Sequence, residues 1–120
     1  MARLHAAGFA HADLHPRNLL AEPRPEGWRV VVLDLDRGRL LPTLPPGLRD
    51  QSLVRCARYV ARHQDDQGLR LSARACLRFL RGYCDRDRGA ARAAWQRLRP
   101  ALLRAALLRA LRLRATSLAP

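Results

Sequence analysis

The residues with chemical reach in this chain are His11, Asp13 and Asn18, followed by Asp34 and Asp36. They stand as H-x-D-x-x-x-x-N, then an apolar run rich in valine, then D-L-D. Phosphoryl transfer calls for such a set. One carboxylate, Asp13, would sit beside an acceptor hydroxyl and take its proton. An amide oxygen, from Asn18, binds a metal without adding negative charge near phosphates. A second carboxylate, Asp34, would hold Mg²⁺ against a triphosphate, and hard oxygen ligands suit that ion. The competing reading is a surface loop with polar residues beside Pro16. Asn18 is the only asparagine in the chain, which speaks against a chance placement.

These groups converge only if the chain turns back between them. Residues 1–9 read as the last turns of a helix, with Gly8 as its stop. Pro16 disfavours helix at His15, so HADLHPRNLLAE is expected to be an extended loop. Leu19 and Leu20 begin a short strand. EPRPEG reads as a turn, and WRVVVLDLD as a second strand. The resulting hairpin, 19–21 with 28–34, returns Asp34 to the loop of Asp13 and Asn18. LPTLPPG (41–47) is read as a further loop.

Beyond it the pattern is helical. Leu53, Val54, Ala57, Val60 and Ala61 recur at helical spacing, with Asp50 as candidate cap and DDQG (65–68) as the stop. Ser72 is placed as cap of the next helix, which carries Ala75, Cys76, Phe79 and Leu80 on one face. A last helical region is expected from about Arg88 to Arg114, interrupted or kinked near Pro100.

HADLHPRNLL followed by VVVLDLDRGRL resembles the catalytic and metal-binding loops of the protein-kinase-like superfamily. Within it, the chain resembles the lipopolysaccharide kinase family, whose members phosphorylate Kdo or heptose in the lipopolysaccharide inner core. The carriers are LHAAGFAHADLHPRNLL, DLDRGRL, RDQSLVRCARYVARH and RFLRGYC, over roughly residues 3–85. The resemblance implies Asp13 as catalytic base and Asn18 and Asp34 as Mg²⁺ ligands. It makes His11 the histidine that braces the metal-binding loop. His15 stands where protein kinases place a lysine near the γ-phosphate, and small-molecule kinases often have His there. Asp36 replaces the glycine of the D-F-G triplet. Both departures point away from a protein substrate. Arg37 and Arg39 either orient the carboxylates, meet a phosphate or are simply solvated.

The implied fold is α+β and mostly helical: the C-terminal lobe of a protein-kinase-like fold, with a small β-hairpin at the catalytic and metal-binding loops. Residues 1–85 would be a partial catalytic lobe and 86–120 a basic Arg/Leu-rich helical extension. The implied cofactors are Mg²⁺ and ATP, and the implied acceptor is a lipopolysaccharide core sugar. The chain has no Gly-rich phosphate loop and no lysine, so the small ATP-binding lobe is expected to be missing. Little or no kinase activity is expected of the 120 residues alone. A truncated or decayed product without activity is the alternative.

Composition bounds these readings. The 120 residues suffice for one core-forming domain or part of a larger one. All 23 basic residues are arginine, and isoleucine is absent like lysine. A GC-rich coding sequence explains that bias, which weakens the net charge of +13 as a sign of function. The charge is lopsided: residues 1–48 carry a net of +1, and residues 49–120 a net of +12. A basic half attracts nucleic acid, an anionic membrane face or a phosphorylated molecule. No stacking motif, finger or recognition helix favours specific nucleic-acid binding. The Leu103, Leu107 and Leu111 stripe fits either a helix packed on the domain or one lying on an anionic membrane. Three cysteines without a CxxC pair suggest reduced thiols, and no run reaches the ~18 residues of a span. The expected location is therefore cytoplasmic, with peripheral attachment at the inner membrane face in the membrane reading.

Overall fold

The computed structural model describes the backbone of residues 1–63 and 72–117, with side chains to 104 and at 107 and 108. Two compact units divide the chain at Cys56 and Ala57.

The first unit opens with a short helix, α1 (Ala2–Ala6). Gly8 ends it with a φ of +81°, a left-handed conformation that glycine adopts without a Cβ penalty. A Cβ there would land on the carbonyl oxygen of Leu41. The close approach is needed because Leu41 donates its N–H to the Gly8 oxygen at 3.0 Å. This bond adjoins the pairing of β1 (Phe9–Ala10) with β4 (Arg39–Leu40), antiparallel, with Ala10 opposite Arg39. The pairing is absent from the sequence-based expectation, since two-residue strands carry no readable alternation.

Between these strands runs the expected hairpin. A 3₁₀ turn at Pro16–Asn18 leads into β2 (Leu19–Arg24), which pairs with β3 (Gly27–Val32) from Leu19 opposite Val32 to Arg24 opposite Gly27. The turn is Pro25 and Glu26 alone, shorter than the EPRPEG reading, and Gly27 takes a φ of +135° behind it. Pro23 is tolerated within β2 because a two-stranded sheet consists only of edges. β3 ends at Val32, so Asp34 stands in the loop after the strand.

α2 (Pro46–His63) starts at Pro46, four residues before the expected cap Asp50. A proline in the first turn loses nothing, because its N–H has no helical partner there. The expected stop at DDQG lies outside the described residues. The core of this unit gathers Leu14, Leu44, Leu53 and Cys56 with the buried His5, His11 and Ser52. Leu14 is completely buried within the loop that carries Asp13. That burial anchors the loop by about 1.5–3 kcal/mol.

In the second unit α3 (Ala73–Tyr83) packs on α4 (Arg88–Ser117). Ser72 caps α3 as expected, its Oγ accepting from the Ala75 N–H at 3.1 Å. The buried side of α3 centres on Leu80, with Cys76 and Leu77 half-buried. Phe79 and Ala75, expected on that face, are exposed, so the face is rotated from the reading. Asp85 and Arg86 both take positive φ and reverse the chain, and Asp87 Oδ1 caps α4 through Ala90 N–H at 3.0 Å. α4 continues through Pro100 as helix, and it buries Ala91, Ala94 and Leu98.

The architecture is thus mostly helical with small antiparallel sheets. All three cysteines are free, and burial pushes the Cys56 thiol up to about 11, which makes it an unreactive apolar side chain. No helix among the described residues is long and apolar enough to cross a membrane.

Candidate active site

The hairpin positions the site through its ladder. One further bond extends β2–β3 pairing beyond Leu19 and Val32: Leu33 donates its N–H to the Asn18 carbonyl at 2.9 Å. Asn18 and Leu33 are thereby neighbours across the sheet end, and Asp34 follows directly. Asp34 has a φ of +57°, in the left-handed region where aspartate is enriched among non-glycine residues. The chain therefore turns sharply at the carboxylate.

Asn18 reaches back to the preceding loop. Its Nδ2 donates to the Asp13 carbonyl at 2.9 Å. With the amide nitrogen used there, Oδ1 is the atom left for a cation. Asp13 itself is more than half exposed, and His15 Nε2 approaches its Oδ2 at 3.3 Å. The imidazole of His15 is largely covered, so it limits the freedom of the Asp13 carboxylate from one side.

His11 ties the two loops together. Its Nδ1 accepts the Asp13 N–H at 3.1 Å, which leaves Nε2 to carry the proton and donate to the Leu33 carbonyl at 2.9 Å. Both ring nitrogens are thus engaged, and the ring is 3 % exposed. A histidine held in this way serves neither as base nor as metal ligand. Phe9 meets its ring edge-on at 6.3 Å between centroids.

Asp34 and Asp36 form an exposed pair. The Asp36 side chain hydrogen-bonds and repels the Asp34 carboxyl, which raises its pKa above the usual carboxylate range, while His11 and Arg37 pull the other way. A carboxylate pair that resists full ionisation is a receptive place for a divalent cation. Asn18 Oδ1 and Asp34 are hard oxygen donors and fit Mg²⁺ by chemistry. Among the described residues no trio of His, Cys, Asp or Glu is placed to hold a metal, so a site here would draw on the amide and on waters or phosphates.

The structure thus brings His11, Asp13, His15, Asn18, Asp34 and Asp36 to one end of the hairpin, with Arg37 beside them. The sequence reading missed two backbone groups on which this depends, the N–H and C=O of Leu33, because no side-chain type marks them. It also missed Gly38. A Cβ at Gly38 would collide with the Phe9 ring, so glycine is what lets the segment after Asp36 pass over it.

The model of the lipopolysaccharide kinase (Kdo/WaaP) family matches residues 1–83. No curated protein matches the chain. Among solved structures, the chain is similar to one described as WaaP in complex with acyl carrier protein, with a TM-score of 0.64 and 24% identity. The match covers 87% of this chain and 41% of that one, so the chain spans about two fifths of the length of its structural relative. At this identity the likeness concerns the fold.

Proposed function

Because the chain belongs to the lipopolysaccharide kinase (Kdo/WaaP) family, we propose that it carries the catalytic and metal-binding loops of an ATP-dependent sugar kinase acting on the lipopolysaccharide inner core. The observation that carries this reading is the bonded path from Asp13 through Asn18 to Leu33 and Asp34. It supports a site in which a proton acceptor and two oxygen ligands stand on one short hairpin.

In this reading the Asp13 carboxylate accepts the proton of the sugar hydroxyl as that oxygen attacks the γ-phosphorus of ATP, and the bond from that phosphorus to the β,γ-bridging oxygen breaks to release ADP. His15 Nε2 keeps the carboxylate oriented. Asn18 Oδ1 and the Asp34 carboxylate would hold Mg²⁺, which when bound offsets the charge of the triphosphate. Asp36 keeps a second carboxyl at hand beside Asp34, and His11 maintains the spacing between the two loops. Residues 1–85 form part of the C-terminal lobe of the kinase-like fold, and 86–120 form a basic extension. The reaction takes place in the cytoplasm, at or near the inner face of the membrane. The 120 residues contain no lysine to clamp the triphosphate, so on their own they are expected to show negligible turnover.

The test is a chimera in which residues 1–83 replace the corresponding segment of the structural relative. ATP-dependent labelling of a lipopolysaccharide core acceptor is the expected result, falling by about 10²–10⁴ in Asp13→Ala. A folded chimera whose labelling ignores that substitution would overturn the reading.

A further inference from the structure

The β2–β3 hairpin has two outer edges, and they differ. Leu33 donates its N–H to the Asn18 carbonyl, so Asn18 and Leu33 form a bonded pair. Bonded and non-bonded pairs alternate along an antiparallel ladder. Leu20–Val31, Glu22–Arg29 and Arg24–Gly27 are therefore the other bonded pairs, and the register leaves Leu19–Val32, Ala21–Val30 and Pro23–Trp28 non-bonded. Backbone groups of the non-bonded residues point away from the partner strand. On the β2 edge one of these residues is Pro23, which has no N–H. On the β3 edge they are Trp28, Val30 and Val32, each with an N–H and a C=O directed outward. Among the described residues no strand and no further backbone bond occupies that edge.

Open edges are ordinarily guarded by a charge, a proline or a bulge. β3 has none of these at Trp28, Val30 or Val32. Trp28 is 72 % exposed and Val30 51 %. Their side chains share one face with Val32 and, across the ladder, with Leu19, Ala21 and Pro23, so that face carries no charge. The other face carries Arg29, directly opposite Glu22. A second copy of β3 fits this edge in an antiparallel register centred on Val30. Val30 then meets Val30 of the second copy as a bonded pair, and Trp28 meets its Val32, an aromatic–β-branched pairing that stabilises sheets. Arg29 meets Val31. The neighbouring register that pairs Trp28 with Val30 would set Arg29 against Arg29, a destabilising like-charge contact. The one that pairs Val30 with Val32 leaves Trp28 beyond the strand end.

We propose that β3 is a self-association edge, at which two copies of this chain join antiparallel about a two-fold axis at Val30 to make one four-stranded sheet. Strand addition of this kind gains main-chain hydrogen bonds, while alternate side chains set the register. The interface is self-complementary, as a two-fold contact requires. Pro23 blunts both outer edges of the enlarged sheet, so growth stops at two copies. The inference does not depend on the kinase reading. It bears on the site all the same, because β3 leads from Val32 through Leu33 to Asp34, and the added strand steadies the end of the hairpin that Asp34 follows.

The experiment uses the full chain, with sedimentation velocity at rising concentration and amide hydrogen exchange. A reversible monomer–dimer equilibrium is expected, and exchange at Trp28, Val30 and Val32 should slow as the dimer fills. Val30→Pro removes the central N–H of each copy without touching a hairpin bond, and should weaken the dimer about 30-fold. Val30→Lys sets two ammonium groups face to face and should leave monomers, as should Val30→Glu with two carboxylates. An equimolar mixture of Val30→Lys and Val30→Glu should associate again, because position 30 faces itself in this register alone. Leu40→Lys changes an exposed apolar residue of β4 and should leave association unaltered. Protection of the Leu33 amide, bonded within the hairpin, reports that each variant keeps its fold. A chain that stays monomeric or assembles beyond two copies would overturn the proposal. So would a dimer indifferent to Val30→Pro and Val30→Lys, a mixture that fails to associate, or equal loss in Leu40→Lys.

Discussion

The imidazole of His11 donates from Nε2 to the carbonyl oxygen of Leu33 at 2.9 Å, across 22 positions of sequence. The same ring accepts the Asp13 N–H. One buried side chain therefore sets the separation between the loop of Asp13 and the loop of Asp34. His11→Ala takes the imidazole partner from the part-buried Leu33 carbonyl and Asp13 N–H and opens a void. A stability loss of about 2–4 kcal/mol is expected, read from denaturant unfolding. Amide signals of Asp13 and Asp34 should move together in that variant, and movement of only one would contradict the bridging role.

The Asp34–Asp36 pair gives a titration test. Asp36 is the main reason the Asp34 carboxyl titrates above its usual range. Asp36→Asn removes the repulsion while keeping a polar neighbour, so Asp34 should titrate lower. Carboxyl carbon chemical shifts followed over pH check this. An unchanged Asp34 titration would assign the shift to something other than its neighbour.

Much of this site was legible before any coordinates. The Val30–Val32 run marks a strand, Pro16 disfavours helix at His15, and the H-x-D-x-x-x-x-N spacing selects Asp13 and Asn18 as candidates. What escaped reading depends on contacts rather than residue types. The β1–β4 pair is two residues long, too short for a pattern, and its signals were only Gly8 and Gly38. Pro46 reads as loop because proline breaks helix interiors, although it starts helices well, as it does for α2. Helical spacing puts Phe79 on one face with Leu80, whereas the structure exposes Phe79 and buries Leu80. Nothing in the sequence brings Arg55 of α2 toward Arg39, although the fold places both in the wall of one cleft.

His5 supplies the pH dependence of the fold. It is 2 % exposed, and burial, aided by the amino-terminal cation and Arg49, pushes its pKa down to about 4. The unfolded chain binds this proton near pH 6.5. The neutral ring therefore contributes its full stability above pH 6.5, and the contribution is lost as pH falls from there to about 4. The loss amounts to about 3 kcal/mol. Unfolding free energy measured between pH 7.5 and 4 should show this slope, and His5→Leu should remove that part of it.

Gly8 and Leu14 are the positions where small changes should cost most. Gly8→Ala combines a positive φ with a collision at the Leu41 carbonyl. Leu14→Ala hollows the site loop at its fully buried anchor, at a cost of about 2–5 kcal/mol. Thermal unfolding of both should show midpoints well below that of Arg62→Gln, which changes only a solvated side chain. Near-parental midpoints would contradict the packing described for the loop.

We propose that Asn18 and Asp34 form one oxygen-donor site beside Asp13, and a metal titration tests it. Mn²⁺ takes the same hard ligands as Mg²⁺ and broadens nearby NMR signals. Titrated into the chain, it should broaden the Asn18 and Asp34 amides first, with Asp13 next, and Asn18→Ala or Asp34→Ala should abolish the effect. Broadening centred elsewhere, such as at Asp85 and Asp87, or insensitive to both substitutions, would contradict the account.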